Sequence, residues 1–238
     1  MSNSFGLLKS FCYTEIMKLK RKRVTVFLIW LTVILIPWVY IISTTSVNLL
    51  FSNNLVLLNV FQRITGLTAF SLLFFQIMLG AFMDRWIQIL GARAYRAHIF
   101  QGIISYGFVL IHPIFYFVIS FEASGILPWL PDLSTYQGVG LTYARIAFFL
   151  ITLSVIASYF RTQPFFRRNW RAFHMINYFS FFLVAMHAYR VGSDIKTIPF
   201  SIIFWVYVLI VSLTVLFKIN IYLRSALKGR TLQAKVRP

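Results

Sequence analysis

The 238-residue chain contains four histidines, His98, His112, His174 and His187, and each lies in or beside a strongly apolar stretch. They fall as two pairs, with a step of fourteen residues from His98 to His112 and of thirteen from His174 to His187. Imidazole is costly to leave unpaired in hydrocarbon, so an intramembrane histidine marks function by default. Neutral imidazole is also an axial ligand of haem iron, and two pairs on two helices supply the ligands of two stacked haems. Interhelical hydrogen bonding or a proton relay is the other use of such histidines. A transported metal ion would need histidines and carboxylates gathered at one level, whereas these four separate into two levels.

The elements that must position them are membrane helices. Of the residues, 59% are hydrophobic, 18% aromatic and only 12% charged, a balance that excludes an ordinary soluble domain. The net charge of +18 comes from 23 Lys and Arg against five acids. These cations sit between apolar runs and not along one soluble face, so they set orientation in a lipid membrane and do not point to nucleic acid. Cys12 is the sole cysteine, which excludes an internal disulfide and any CxxC site.

Apolar windows predict an all-α, six-helix transmembrane bundle with spans near 24–43, 65–83, 99–120, 141–160, 174–190 and 200–220. Each approaches the roughly 20 residues that cross a bilayer. Residues 1–23 then form a basic N-terminus, 24–220 the helical domain and 221–238 a basic tail. The run Lys18 to Arg23 precedes an apolar stretch too long for a cleavable signal and without a small-residue cleavage site, so it reads as the anchor of a first span. With the N-terminus inside, nineteen of the 23 cations fall on the cytoplasmic side, and only Arg63, Arg145, Arg190 and Lys196 fall outside. That bias places both termini in the cytoplasm of a multi-pass plasma-membrane or bacterial inner-membrane protein.

The third and fifth spans run in the same direction. His98 and His174 therefore lie near the cytoplasmic face, and His112 and His187 lie toward the outside. At 1.5 Å per residue the members of a pair are about 21 Å apart on the third span and about 20 Å on the fifth. His98 can face His174, and His112 can face His187. Fourteen residues return to within roughly 40° of the starting face, but thirteen miss by roughly 140°. The fifth span therefore needs a tightened turn, a bend or a strong tilt to aim both rings inward.

At these residues the chain resembles the ferric reductase-like transmembrane domain, the membrane part of ferric reductases and NADPH oxidases and of the haem subunit of bacterial methionine sulfoxide reductase. The matching stretches are Arg63 to Ala69 entering the second span, Tyr95–Arg96–Ala97–His98 with Gly102 and His112–Pro113, and Trp170 to His174 through Tyr178 to His187. Gly192–Ser193–Asp194 follows where bacterial members often have a similar turn. The likeness covers about residues 60–195, and the family spacing of thirteen and twelve intervening residues is the spacing here. It implies two b-type haems, an inner one on His98 and His174 and an outer one on His112 and His187.

The resemblance implies electron transfer from a cytoplasmic flavin- or NAD(P)H-linked donor to an outer acceptor, such as a ferric chelate, oxygen, a quinone or a periplasmic enzyme. Whether the chain is itself an oxidoreductase or an electron-transfer subunit stays open, and so does a role feeding a periplasmic methionine sulfoxide reductase. A haem-free transporter or proton relay is the reading of another class. Many relatives continue into a flavin and nicotinamide domain. The stretch after the sixth span is too short for one, and no GxGxxG or P-loop occurs, so the sequence predicts a separate flavoprotein or reductase that supplies any flavin. Guanidinium groups suit haem propionates: Arg93, Arg96 and Arg171 for the inner haem, and Arg63, Arg145 and Arg190 for the outer. The inner arginines also serve topology, whereas the outer three oppose it. Phe108, Phe179, Phe181 and Phe182 fall between the paired levels, but with 26 Phe in the chain packing or lipid contact is their ordinary role.

Overall fold

An apolar segment in lipid must satisfy every backbone group internally, and a helix does so within one segment. The computed structural model describes residues 2–125 and 128–236, and among these every regular element is helical. The chain divides into two units, Met1–Pro128 and Trp129–Pro238.

The first unit contains α1 (Ser2–Thr44), α2 (Val47–Ser52), α3 (Asn54–Ala81), α4 (Met83–Leu90) and α5 (Arg93–Ser124). α3 is its interior helix, burying Ile64, Thr68, Leu72, Phe74 and Ile77 between neighbours on several sides. α5 lies antiparallel against it and turns Ile99, Phe100, Ile103, Ile111 and Ile114 outward, an apolar face suited to lipid. Lipid tails are as apolar as leucine, so such helices associate through close packing and hydrogen bonds. Gln101 supplies one of these bonds, its buried amide donating to the Leu72 carbonyl at 2.9 Å. On the short amphipathic α4, the Ile89 carbonyl accepts from Arg23 of α1 at 2.9 Å.

The second unit contains α6 (Tyr136–Tyr159), α7 (Pro164–Arg168), α8 (Trp170–Val191), a 3₁₀ turn at Asp194–Lys196 and α9 (Phe200–Val236). α6 and α8 form its antiparallel pair, tied by Ser154 donating to the Phe173 carbonyl at 3.1 Å. Phe181 of α8 is fully buried, whereas Phe179 is exposed.

Several boundaries differ from the sequence expectation. α3 starts eleven residues before the expected 65, because Asn53 caps it by accepting the Leu55 N–H at 2.8 Å. Arg63 therefore lies within the helix and not at its entry. α1 and α9 run without a break through the expected boundaries at residues 23 and 220. Arg237, and the side chains of Lys9, Cys12, Lys228, Arg230 and Lys235, lie outside what the structure describes. Among the described residues, five helical stretches are long and apolar enough to cross a membrane: Met17–Thr44, Asn54–Ala81, Arg93–Ser124, Tyr136–Tyr159 and Phe200–Ser225. These make the chain an all-helical, multi-pass membrane protein. The expected fifth span forms as α8, but His174, Asn177 and His187 lower its hydropathy below that of the other five.

Candidate functional site

His98 and His112 belong to α5 of the first unit, and His174 and His187 to α8 of the second. All four rings are half-buried. His112 Nδ1 lies 3.0 Å from the Gln62 carbonyl of α3. A carbonyl cannot donate, so Nδ1 carries the proton and Nε2 is the basic nitrogen of the neutral ring. His187 repeats this arrangement, with Nδ1 3.1 Å from the Gly140 carbonyl of α6. In both units a histidine of the second helix is locked by a backbone carbonyl of the antiparallel first helix. Metal-bound histidines have this outer support, which fixes the tautomer and the ring direction.

Glycine makes both approaches feasible. A Cβ at Gly66 would lie 2.8 Å from His112 Cε1, so only a hydrogen there lets the imidazole reach the carbonyl one turn earlier on α3. A Cβ at Gly140 would lie 2.8 Å from both Arg190 Cβ and Val191 Cγ2.

The other two histidines are held differently. His98 Nε2 lies 3.4 Å from the Gln76 amide nitrogen on α3. His98 and His112 thus both reach α3, as the fourteen-residue step implies for a single face. His174 packs on Trp170 one turn earlier, with ring centres 5.2 Å apart. α8 is α-helical throughout from Trp170 to Val191, so no tightened turn separates His174 from His187.

The arginines divide. Arg96 and Arg171 are exposed, as is Arg93, while Arg63 and Arg145 are half-buried, with Arg145 Nη1 sealed from solvent. Arg190 sits with its guanidinium 4.4 Å over the Tyr136 ring and 5.8 Å from the Tyr143 ring, and it donates to the Tyr136 carbonyl at 3.4 Å. Its first partners are therefore aromatic.

Asp132, outside the spans, organises the start of α6. Its carboxylate accepts from the Ser134 hydroxyl at 2.6 Å, the Ser134 N–H at 2.8 Å and the Thr135 hydroxyl at 2.8 Å. Thr135 in turn caps α6 by accepting the Gly138 N–H at 2.9 Å. The Ser134 hydroxyl and N–H, then the Thr135 hydroxyl, lower the Asp132 pKa to about 2. This cap sets the first turn of the helix that carries Gly140.

Among the described residues, no three His, Cys, Asp or Glu side chains gather to hold a bare metal ion. His112 and His187 each offer an imidazole with Nδ1 held on a carbonyl, which fits ligation of an iron already held in a macrocycle. Sequence reasoning passed over Gln76, Gly140, Tyr136 and Asp132. Of these only Gln76 carried a signal, an amide inside an apolar run. Compared with protein-family models, curated proteins and solved structures, the chain matches none.

Proposed function

We propose that this protein is a transmembrane b-type cytochrome that passes electrons through two bis-histidine haems, from a cytoplasmic flavin- or NAD(P)H-linked donor to an acceptor outside. The observation that carries this reading is the shared state of His112 and His187. Each has Nδ1 held on a neighbouring helix carbonyl, at 3.0 and 3.1 Å, which sets the neutral tautomer whose Nε2 is the basic nitrogen that would ligate iron. A proton relay needs a ring free to exchange protons at both nitrogens, and a carbonyl-locked Nδ1 does not favour that role.

In this reading α8 is a sixth crossing: its 22 residues span about 33 Å, and its lower hydropathy comes from the residues that bind the cofactor. Both termini are cytoplasmic, which puts His98 and His174 at the inner level and His112 and His187 at the outer. When bound, each haem iron would alternate between ferric and ferrous and so carry one electron. The chain fixes ring direction through Gln62 and Gly140, and the half-buried Arg63 and Arg145 offer positive charge to propionates near the outer level.

A dithionite-reduced minus oxidised spectrum of the purified protein tests this reading. Sharp b-type bands of low-spin bis-histidine haem are expected. Their absence from protein prepared with sufficient haem would reject it.

A further inference from the structure

The short α4 has no part in the haem chemistry, yet it is firmly placed. It joins the end of α3 to the start of α5, two helices long and apolar enough to cross a membrane, so it lies where membrane meets water. Its half-buried Trp86 donates the indole N–H to the Met78 carbonyl of α3 at 3.1 Å. An indole suits headgroup level, with an apolar body and a polar edge. Asp84, Arg85 and Gln88 share the opposite face of α4 and are exposed.

Cations from two other stretches of chain flank this helix. On α1, Lys20 and Arg23 stand one turn apart and exposed, and Arg23 Nε donates to the Ile89 carbonyl at 2.9 Å. That carbonyl belongs to the last turn of α4, where a cation also meets the negative end of the helix. On α5, Arg93 and Arg96 likewise stand one turn apart and exposed. Arg93 follows Ile89 by four residues, so the chain holds its Cα within roughly 14 Å of that of Ile89. Over residues 83–96 Asp84 is the only acid.

We propose that the corner formed by α1, α4 and α5 binds the phosphate groups of anionic phospholipid, with Arg23, Arg93 and Arg96 holding them and Trp86 setting the depth of α4. A guanidinium takes a phosphate through paired N–H donors, and clustered cations at a membrane surface attract anionic headgroups. Trp86 favours lipid over an acidic protein as the occupant, because the headgroups already lie at the level where the indole sits. Haem has no part in this binding, so it stands independently of the cytochrome reading.

The test places the full-length protein in phosphatidylcholine nanodiscs that carry a trace of photoactivatable phosphatidylglycerol, or of photoactivatable phosphatidylcholine with the same chains, and maps the cross-links by mass spectrometry. Phosphatidylglycerol should label residues 83–96 about five- to twentyfold more than phosphatidylcholine, since each cation near the surface is worth about fivefold for an anionic headgroup. Replacing Arg85, Arg93 and Arg96 together by Gln leaves the Arg23 contact in place and should bring that ratio close to one. Arg23→Gln alone should lower it about two- to fivefold. The triple variant carries the test should Arg23→Gln fail to fold. Label on α7, in the other unit, should not change and serves as the reference for labelling yield. Equal labelling of residues 83–96 by the two lipids, or an excess that survives the triple substitution, overturns the proposal, and an acidic protein then becomes the occupant to seek. Haem content does not enter this readout, so the two proposals fail separately.

Discussion

His112 and Gly66 meet with no space to spare: a Cβ on Gly66 would sit 2.8 Å from His112 Cε1 and 3.0 Å from Nδ1. The ring and its Gln62 contact occupy the place where any other residue would put a side chain. Gly66→Ala must therefore push the imidazole off its carbonyl, an overpacking cost of about 1–3 kcal/mol. The expected outcome is a roughly ten- to hundredfold weaker outer haem, with the inner haem retained. Haem content of the purified variant checks this, and full retention of the outer haem would show that the contact does not orient a ligand.

Arg190 tests whether an outer arginine serves packing or cofactor. Its guanidinium lies 4.4 Å over the Tyr136 ring, a stack that a lysine ammonium reproduces poorly. Arg190→Lys should cost about 0.5–1 kcal/mol in thermal stability and keep two haems per chain. Loss of a haem would reassign the guanidinium from tyrosine to propionate.

The Asp132 turn supplies the pH dependence. Its carboxylate titrates at about 2, below the roughly 3.9 of a free aspartate, so its ionised contacts stabilise the folded turn. That contribution is present above about pH 4 and is lost as pH falls towards 2. Limited proteolysis near Leu133 should accelerate over this window, and Asp132→Asn should show the faster cleavage already at neutral pH. Equal cleavage of the two proteins at neutral pH would remove Asp132 from the capping of α6.

Thr68 gives the opposite sign. Its side chain is fully buried on α3, and its hydroxyl has no hydrogen-bond partner among the described residues. Thr68→Val removes that polar atom at nearly constant shape. The unfolding temperature should rise, by up to about 1–2 kcal/mol of added stability. A fall would mean that the hydroxyl has a partner in the membrane-embedded protein.

Most of the helical layout was legible because apolar length is a property of the residues themselves. The six expected spans all form helices, although α3 begins at Asn54 because Asn53 caps it there. The four histidines were legible for the same reason, as polar rings in apolar runs. What holds them was not. Gln62 and Gly140 act through backbone carbonyls that every residue owns, and Gly66 matters only once the register of α3 on α5 is set. Gln76 could be noticed as an amide in an apolar run, but its partner depends on that same register. The thirteen-residue step on α8 keeps its difficulty, since the helix runs from Trp170 to Val191 without a tightened turn.

The central claim is two haems held by four histidines, and haem stoichiometry tests it most directly. Pyridine haemochrome analysis of the purified protein, set against protein concentration from amino-acid analysis, should give two haems b per chain. It should give about one in His112→Ala and in His98→Ala, and none when both are replaced. A value of zero in the unmodified protein, or two haems retained in the double variant, would contradict it.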